Sequence, residues 1–175
     1  MKKRTILAFL ILATTNIGAY AEGNASLSAT KVEQGKVTTG IGNRDVPILR
    51  STLTVNASEG TIDFQGVTGM VNATNLKDVK GIRAYFATNA QELFVDAKGE
   101  MNWRESNGVP FAEGKIAKDC TFIITGSLNL AAGTYYLWIA LDISKKAREG
   151  NTVDATITSY IIDGKTQPEP NGNPD

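Results

Sequence analysis

The side chains that could do chemistry in this 175-residue chain are mainly carboxylates, because its 18 acidic residues are accompanied by no histidine. The absence of histidine excludes histidine-based acid–base catalysis and most zinc sites. Hydrolysis of a glycosidic bond needs two carboxyl groups at a set separation, or a tyrosine activated by a glutamate. Neither arrangement follows from the spacing, so we interpret these carboxylates as turn-forming and solubilising residues: Glu59, Asp63, Asp78, Asp96, Glu105, Asp142, Asp154 and Asp163.

The sequence contains no complete motif for binding a metal ion or a nucleotide. Calcium loops need closely spaced Asp or Asn residues with a Gly and a distal Glu, and the sequences around Asp45 and Asp154 lack that pattern. The GxG of "GIGNRDVP" precedes a predicted strand and opens no helix, so it indicates a turn. The lone Cys120 cannot form an intramolecular disulfide and is interpreted as a small buried hydrophobe. The sequence predicts no cofactor, no metal site and no catalytic residue in this chain by itself.

A ligand-binding role is easier to motivate than catalysis. Sugars are held by aromatic rings, with amides, carboxylates and arginines supplying hydrogen bonds. Trp103 lies in the irregular segment "MNWRESN", with Asn102 and Arg104 beside it. We take Trp103, Arg104 and Asn102 as candidate ligand-binding residues; the alternative is that Trp103 fills the edge of the core.

The N-terminus has the pattern of a secretory signal peptide over residues 1–21. Residues 2–4 are basic, residues 6–12 form a short apolar run, and "AYA" ends at residue 21. No cysteine follows that would accept a lipid, so we expect a secreted protein, periplasmic or extracellular, without a membrane anchor. Removing three basic residues from 18 leaves 15 against 18 acidic ones, a net charge of −3. This balance provides no electrostatic footprint for nucleic acid or for an anionic membrane surface.

The residues between the two ends alternate between apolar and polar with a period of two. Several short strands with turn signals between them predict an all-β fold, an antiparallel β-sandwich formed by residues 22–165. The Glu59-Gly60 pair is expected to form a hairpin turn, and "SKKAREG" to form at most two helical turns. The predicted inward-facing residues are Leu49, Ser51, Leu53 and Val55; Ile62 and Phe64; Ile82, Ala84 and Phe86; Tyr135, Leu137, Ile139, Leu141 and Ile143; and Val153, Ala155, Ile157, Ser159 and Ile161.

The opposite face of the strand around Tyr135 raises two alternatives. Tyr136 and Trp138 form either an exposed aromatic platform or a patch covered by a neighbouring loop or domain. The covered arrangement is favoured, because large exposed apolar patches normally have a partner. On the same face, Asp142 is expected to cap the short turn that follows, and Gly150 is expected to end it.

Three blocks of the sequence resemble the N-terminal domain that precedes the BNR-repeat propeller in secreted bacterial sialidases (neuraminidases). They are "VPILRSTLTV" at 46–55, "NLKDVKGIRAYFATN" at 75–89 and "TGSLNLAAGTYYLWIALDISKKAREGNTVDATITS" at 125–159. The third block is the most specific, because seven residues fall at the family's spacings: Gly133, Trp138, Asp142, Ala147, Gly150, Asn151 and Asp154.

This resemblance implies a sandwich of the carbohydrate-binding-module, jelly-roll-like type and a parent protein that is an exo-α-sialidase, a glycoside hydrolase. It implies a non-catalytic front domain that assists carbohydrate binding or positions the catalytic propeller. Its partners would be a glycan, sialylated glycans included, and the propeller of the same chain, reached through the Pro/Gly/Asn-rich linker at 166–175. The family's arginine triad, nucleophile pair and SxDxGxTW boxes are absent from this sequence. The alternative is a free-standing secreted β-sandwich that acts as an adhesin or assembly subunit.

Overall fold

The computed structural model describes residues 25–35, 38–88 and 108–168. This part of the chain consists of nine strands and one short 3₁₀ helix, Leu76–Asp78. The strands are β1 Ser26–Gln34, β2 Val46–Asn56, β3 Ile62–Ala73, β4 Val79–Ala87, β5 Val109–Ile116, β6 Thr121–Leu130, β7 Gly133–Ile143, β8 Val153–Ile162 and β9 Lys165–Pro168.

All strand pairings are antiparallel, and the strand order is β1-β2-β7-β4-β5-β6-β3-β8-β9. We call β1, β2, β7 and β4 sheet A, and β6, β3, β8 and β9 sheet B. Strand β5 belongs to both, because its first half pairs with β4 and its second half pairs with β6. The prediction of an all-β antiparallel sandwich is confirmed.

Strand β5 changes sheets at Gly114, which pairs with Ile124 of sheet B. A Cβ atom at this position would lie 2.5 Å from Ile124 Cγ1 and 2.9 Å from Ile82 Cγ2 of sheet A. Only glycine therefore fits where the two sheets converge on this strand.

The hydrophobic core lies between the two sheets. The stripe predicted on β7 faces inward, with Leu137, Ile139 and Leu141 fully buried. Phe64 of β3 meets Phe86 of β4 edge to face, with ring centroids 5.0 Å apart, so aromatic packing joins the sheets. A polar contact also crosses the core between the hydroxyls of Ser51 and Tyr160, which lie 2.7 Å apart.

The stripe predicted on β8 is correct only in its first half. Ala155 and Ile157 are buried, but after them the buried residues are Tyr160 and Ile162 instead of Ser159 and Ile161. The pairing with β3 shifts between Thr68 and Gly69, so Thr158 is an extra residue and the alternation changes face.

Two predicted local features also differ in the structure. Gly60 has a φ of +85°, as a turn requires, but β2 and β3 lie in different sheets, so this turn crosses the sandwich and makes no hairpin. Cys120 is only half-buried, and it has a φ of +69° in the turn between β5 and β6. Its position is set by that tight turn, in which its N–H donates to the carbonyl of Ala117.

Candidate functional site

Arg83 is the centre of an ionic network on the outer face of sheet A. Its Nη1 donates to carboxylate oxygens of Asp142 at 2.6 Å and of Asp45 at 3.0 Å, and its Nε donates to Glu113 at 2.9 Å. These acids come from β7, from the loop before β2 and from β5. One guanidinium therefore ties four segments of the sandwich together, and its planar fork is suited to such multiple carboxylate contacts.

Asp45 closes the network from the loop side. Its carboxylate accepts from the Tyr85 hydroxyl at 2.6 Å, and its backbone N–H donates to Asp142 at 3.1 Å. Asp45 has a φ of +50°, a conformation that Asp tolerates better than most residues. The loop before β2 is thus held onto the outer face through both the main chain and the side chain of Asp45.

The environment of Asp142 keeps its carboxyl group ionised. Burial alone would raise its pKa, but the hydrogen bonds from Arg83 and from the backbone of Asp45 outweigh that effect, so the pKa is lowered. The hydrogen bond to Asp142 raises the pKa of Arg83, and burial followed by the contact with Asp45 raises that of Tyr85. At neutral pH Asp142 is therefore a carboxylate, Arg83 a guanidinium and Tyr85 a neutral phenol. A glycosidase acid needs the opposite shift, a carboxyl group held protonated.

The aromatic patch next to this network is buried. Tyr136 and Trp138 are 8% and 6% exposed, and they cluster with Tyr85, so they do not form an open platform. The Arg50 guanidinium lies over both rings, 5.7 Å from the centroid of Tyr136 and 5.4 Å from that of Trp138. The hydrogen bond from Arg50 and, to a smaller extent, one from a neighbouring lysine lower the pKa of Glu33. Glu33 also forms an ion pair with Arg50.

The corner between β7 and β8 ends at Gly150 as predicted, but it begins with a different capping residue. The hydroxyl of Ser144 accepts from the N–H of Lys146, and its carbonyl accepts from the N–H of Ala147. Asp142 does not cap this turn, because its carboxylate is bound by Arg83. The predicted helical turns are two tight turns and no helix.

Asn151 fastens the end of this corner to the short 3₁₀ helix. Its side-chain amide donates to the carboxylate of Asp78 at 2.6 Å, and Asp78 is only 2% exposed. Gly150, just before it, has a φ of +82°, which glycine adopts without strain. Asp78 also lines a cavity of about 620 Å³ beside the corner, together with Thr39, Arg148 and other residues of the adjoining loops.

The three residues predicted to bind a ligand, Asn102, Trp103 and Arg104, lie outside the described residues. Within the described ranges, no three His, Cys, Asp or Glu side chains are grouped to hold a metal ion. The described part likewise contains no helix with the length and apolar character needed to span a bilayer. A search of protein-family models and of curated proteins finds no match to this chain.

Sequence reasoning missed the network around Arg83. The nearest sequence signal is the outward position of Arg83 in the alternation of β4, opposite Ile82 and Ala84. Its acidic partners are 30, 38 and 59 residues away, and nothing in their local sequence indicates the pairing.

Proposed function

We propose that this chain is a non-catalytic N-terminal β-sandwich of a secreted exo-α-sialidase, which assists glycan binding or positions a catalytic propeller. The observation that supports the proposal is that residues of the block that resembles sialidase front domains hold the sandwich together. Asp142 binds Arg83, Asn151 binds Asp78, and Asp154 accepts from the side chain of Gln34 on β1. A signature made of such contacts maintains a shape, as expected of a module whose parent does its chemistry elsewhere.

The electrostatics support a non-catalytic role. Asp142 and Glu33 are the two acids of the outer face whose pKa values are shifted. Both pKa values are lowered, and both side chains form an ion pair with an arginine. An acid catalyst needs a carboxyl group that still carries its proton at working pH. These two carboxylates therefore act as structural anions.

The position of β9 supports a role in placing a following domain. Strand β9 pairs with the edge of β8 through its whole length, from Lys165 with Ile162 to Pro168 with Ser159. A domain after the linker would therefore start from a fixed point at the edge of sheet B.

The coding sequence after Asp175 tests this proposal directly. We expect SxDxGxTW repeats, an arginine triad and a Tyr–Glu pair downstream. A stop codon directly after Asp175 would contradict the proposal and favour a free-standing adhesin or assembly subunit.

A second experiment tests the role of the domain within the parent enzyme. Deleting the sandwich should slow the release of sialic acid from a polymeric sialoglycan more than its release from a small fluorogenic sialoside. Equal effects on both substrates would show that the sandwich contributes neither glycan capture nor orientation.

A further inference from the structure

Four lysines meet at a groove on the side of the sandwich where β4 and β5 separate. The groove has a volume of about 740 Å³. One wall is formed by the 3₁₀ helix and the start of β4, and the other by the end of β5 and the turn after it. Its lining includes Asn75 and the four lysines Lys77, Lys80, Lys115 and Lys118.

The groove exists because β5 leaves sheet A partway along β4. Pairing between the two strands starts at Arg83 with Glu113, and from Gly114 onward β5 pairs with β6 instead. On the side of β5, the first residues of β4, which include Lys80, therefore face an opening, while their other side pairs with β7.

The charged side chains that line the groove are all lysines. Lys77, Lys80, Lys115 and Lys118 are all exposed, and none of them forms an ion pair among the described residues. The lining contains four cationic side chains and no carboxylate.

The acids closest in sequence to the groove are already engaged. Asp119 accepts from both the N–H and the hydroxyl of Thr121, and these hydrogen bonds lower its pKa. Asp78 is buried and binds Asn151, and Glu113 binds Arg83. An external anion would therefore meet four ammonium groups without first displacing an internal partner.

We propose that this groove binds an anionic polysaccharide, whose carboxylate or sulfate groups pair with the four lysines. The inference rests on the proposed glycan-associated function and names the class of glycan. Lysine presents a compact charge on a flexible stem, which suits acidic groups repeated along a flexible chain. The exposed side-chain amide of Asn75 supplies a polar group for sugar hydroxyls.

The charge of the rest of the molecule favours a polysaccharide over nucleic acid. The chain after residue 21 has a net charge of −3, with 15 basic and 18 acidic residues. Duplex DNA carries one charge per ~1.7 Å, and its binding proteins commonly neutralise about 6–10 phosphates. Four lysines on an acidic protein are too few for that charge density, whereas they match a polymer with widely spaced charges. Composition does not reveal this site, because two lysines come from residues 77–80 and two from residues 115–118.

The test is a binding titration of the purified chain with polysialic acid, hyaluronan, chondroitin sulfate and neutral dextran. We expect binding to the three anionic polymers and none to dextran. The affinity should fall as salt rises, because the charges of the groove are exposed and screened. The K77Q/K80Q/K115Q/K118Q variant should lose about tenfold or more in affinity, with a weaker salt dependence.

A matched control removes lysines elsewhere on the surface. Lys145, Lys146 and Lys165 are also exposed, and the K145Q/K146Q/K165Q variant should bind within about twofold of the wild type. The K77Q/K80Q and K115Q/K118Q variants each change one wall, and thermal unfolding verifies that every variant is folded. Each double variant should show an intermediate loss of affinity.

Several results would overturn the assignment. One is an equal affinity of the groove variants and the control variant for the anionic polymers. Another is binding of dextran as tight as that of the anionic polymers, and a third is no binding of any anionic polymer. Tighter binding of polyglutamate or duplex DNA than of the polysaccharides would assign the groove to another class of ligand. None of these outcomes alters the expected sequence downstream of Asp175, so failure of this inference is distinguishable from failure of the proposed function.

Discussion

Replacing Arg83 by methionine tests whether the outer network stabilises the fold through charge. The variant keeps most of the apolar stem but leaves Asp142 and Asp45 without their shared cation. A hydrogen bond to a charged group contributes about 1.5–3 kcal/mol. Because the side chains of Asp142 and Asp45 are 14% and 24% exposed, we use the low end for each and expect a loss of about 3 kcal/mol.

This loss should be visible in thermal and urea unfolding. For a domain of about 150 residues it corresponds to a decrease of roughly 6–12 °C in Tm. The matched control is Glu113→Gln, which removes the third contact of Arg83. Glu113 is 76% exposed, so its replacement should cost less than about 0.5 kcal/mol.

The pH dependence separates charge from packing. The pKa of Asp142 is lowered in the folded state, so its stabilising effect is complete above its unfolded pKa of 3.8 and is lost as pH falls through the folded value. The stability difference between wild type and Arg83→Met should therefore be large at pH 7 and should shrink below about pH 4. An equal difference at pH 7 and pH 3 would refute this reasoning and assign the effect to the arginine stem.

Four further predictions concern other parts of the chain. Asn151→Ala should cost about 2 kcal/mol in thermal unfolding, because the buried Asp78 loses its donor; an unchanged Tm would contradict this. Gly69→Ala should cost more than about 2 kcal/mol, since its Cβ would lie 2.0 Å from the carbonyl oxygen of Thr156, and an unshifted urea midpoint would disprove that clash. The purified chain should release no sialic acid from a fluorogenic sialoside; turnover that is lost on mutation of one of its own carboxylates would show the opposite. Trp103→Ala should weaken glycan affinity about five- to tenfold if the ring contacts sugar, or lower stability by about 3 kcal/mol if it fills the core edge. Glycan titration and thermal unfolding of that variant separate the two cases, and no change in either would exclude both.

The sheet stripes could be predicted because burial of one strand face imposes a period of two on the sequence. This worked for Leu49 to Val55 on β2 and for Tyr135 to Ile143 on β7. The prediction failed on β8 after Ile157, because the position of a bulge depends on how the strand pairs with its neighbour, which the sequence of the strand alone does not show. Ser159 and Ile161 continue the alternation along the sequence, but the extra residue Thr158 places them on the face opposite the core.

Contacts between distant segments could not be predicted from spacing. Gly60 correctly indicated a turn, but a turn residue carries no information about which sheet the next strand joins. Asp142 precedes a turn and so was expected to cap it, but Arg83, 59 residues away, offers a stronger charged donor. The lysine groove was missed for the same reason, since it depends on where β5 changes sheets.

The short β9 hairpin determines how the sandwich transmits mechanical force. Its turn, Asp163–Gly164, is closed, and its open end is the pair formed by Ser159 and Pro168. A pull on the chain beyond Pro168 would therefore load the pairs one after another, as in a zipper, instead of shearing them together. Strand β9 would peel away and lengthen the tether while the other eight strands remain folded. A single-molecule pulling trace should record this as a brief, low-force extension before the domain opens, and one abrupt opening with no earlier step would show that β9 and the sandwich yield together.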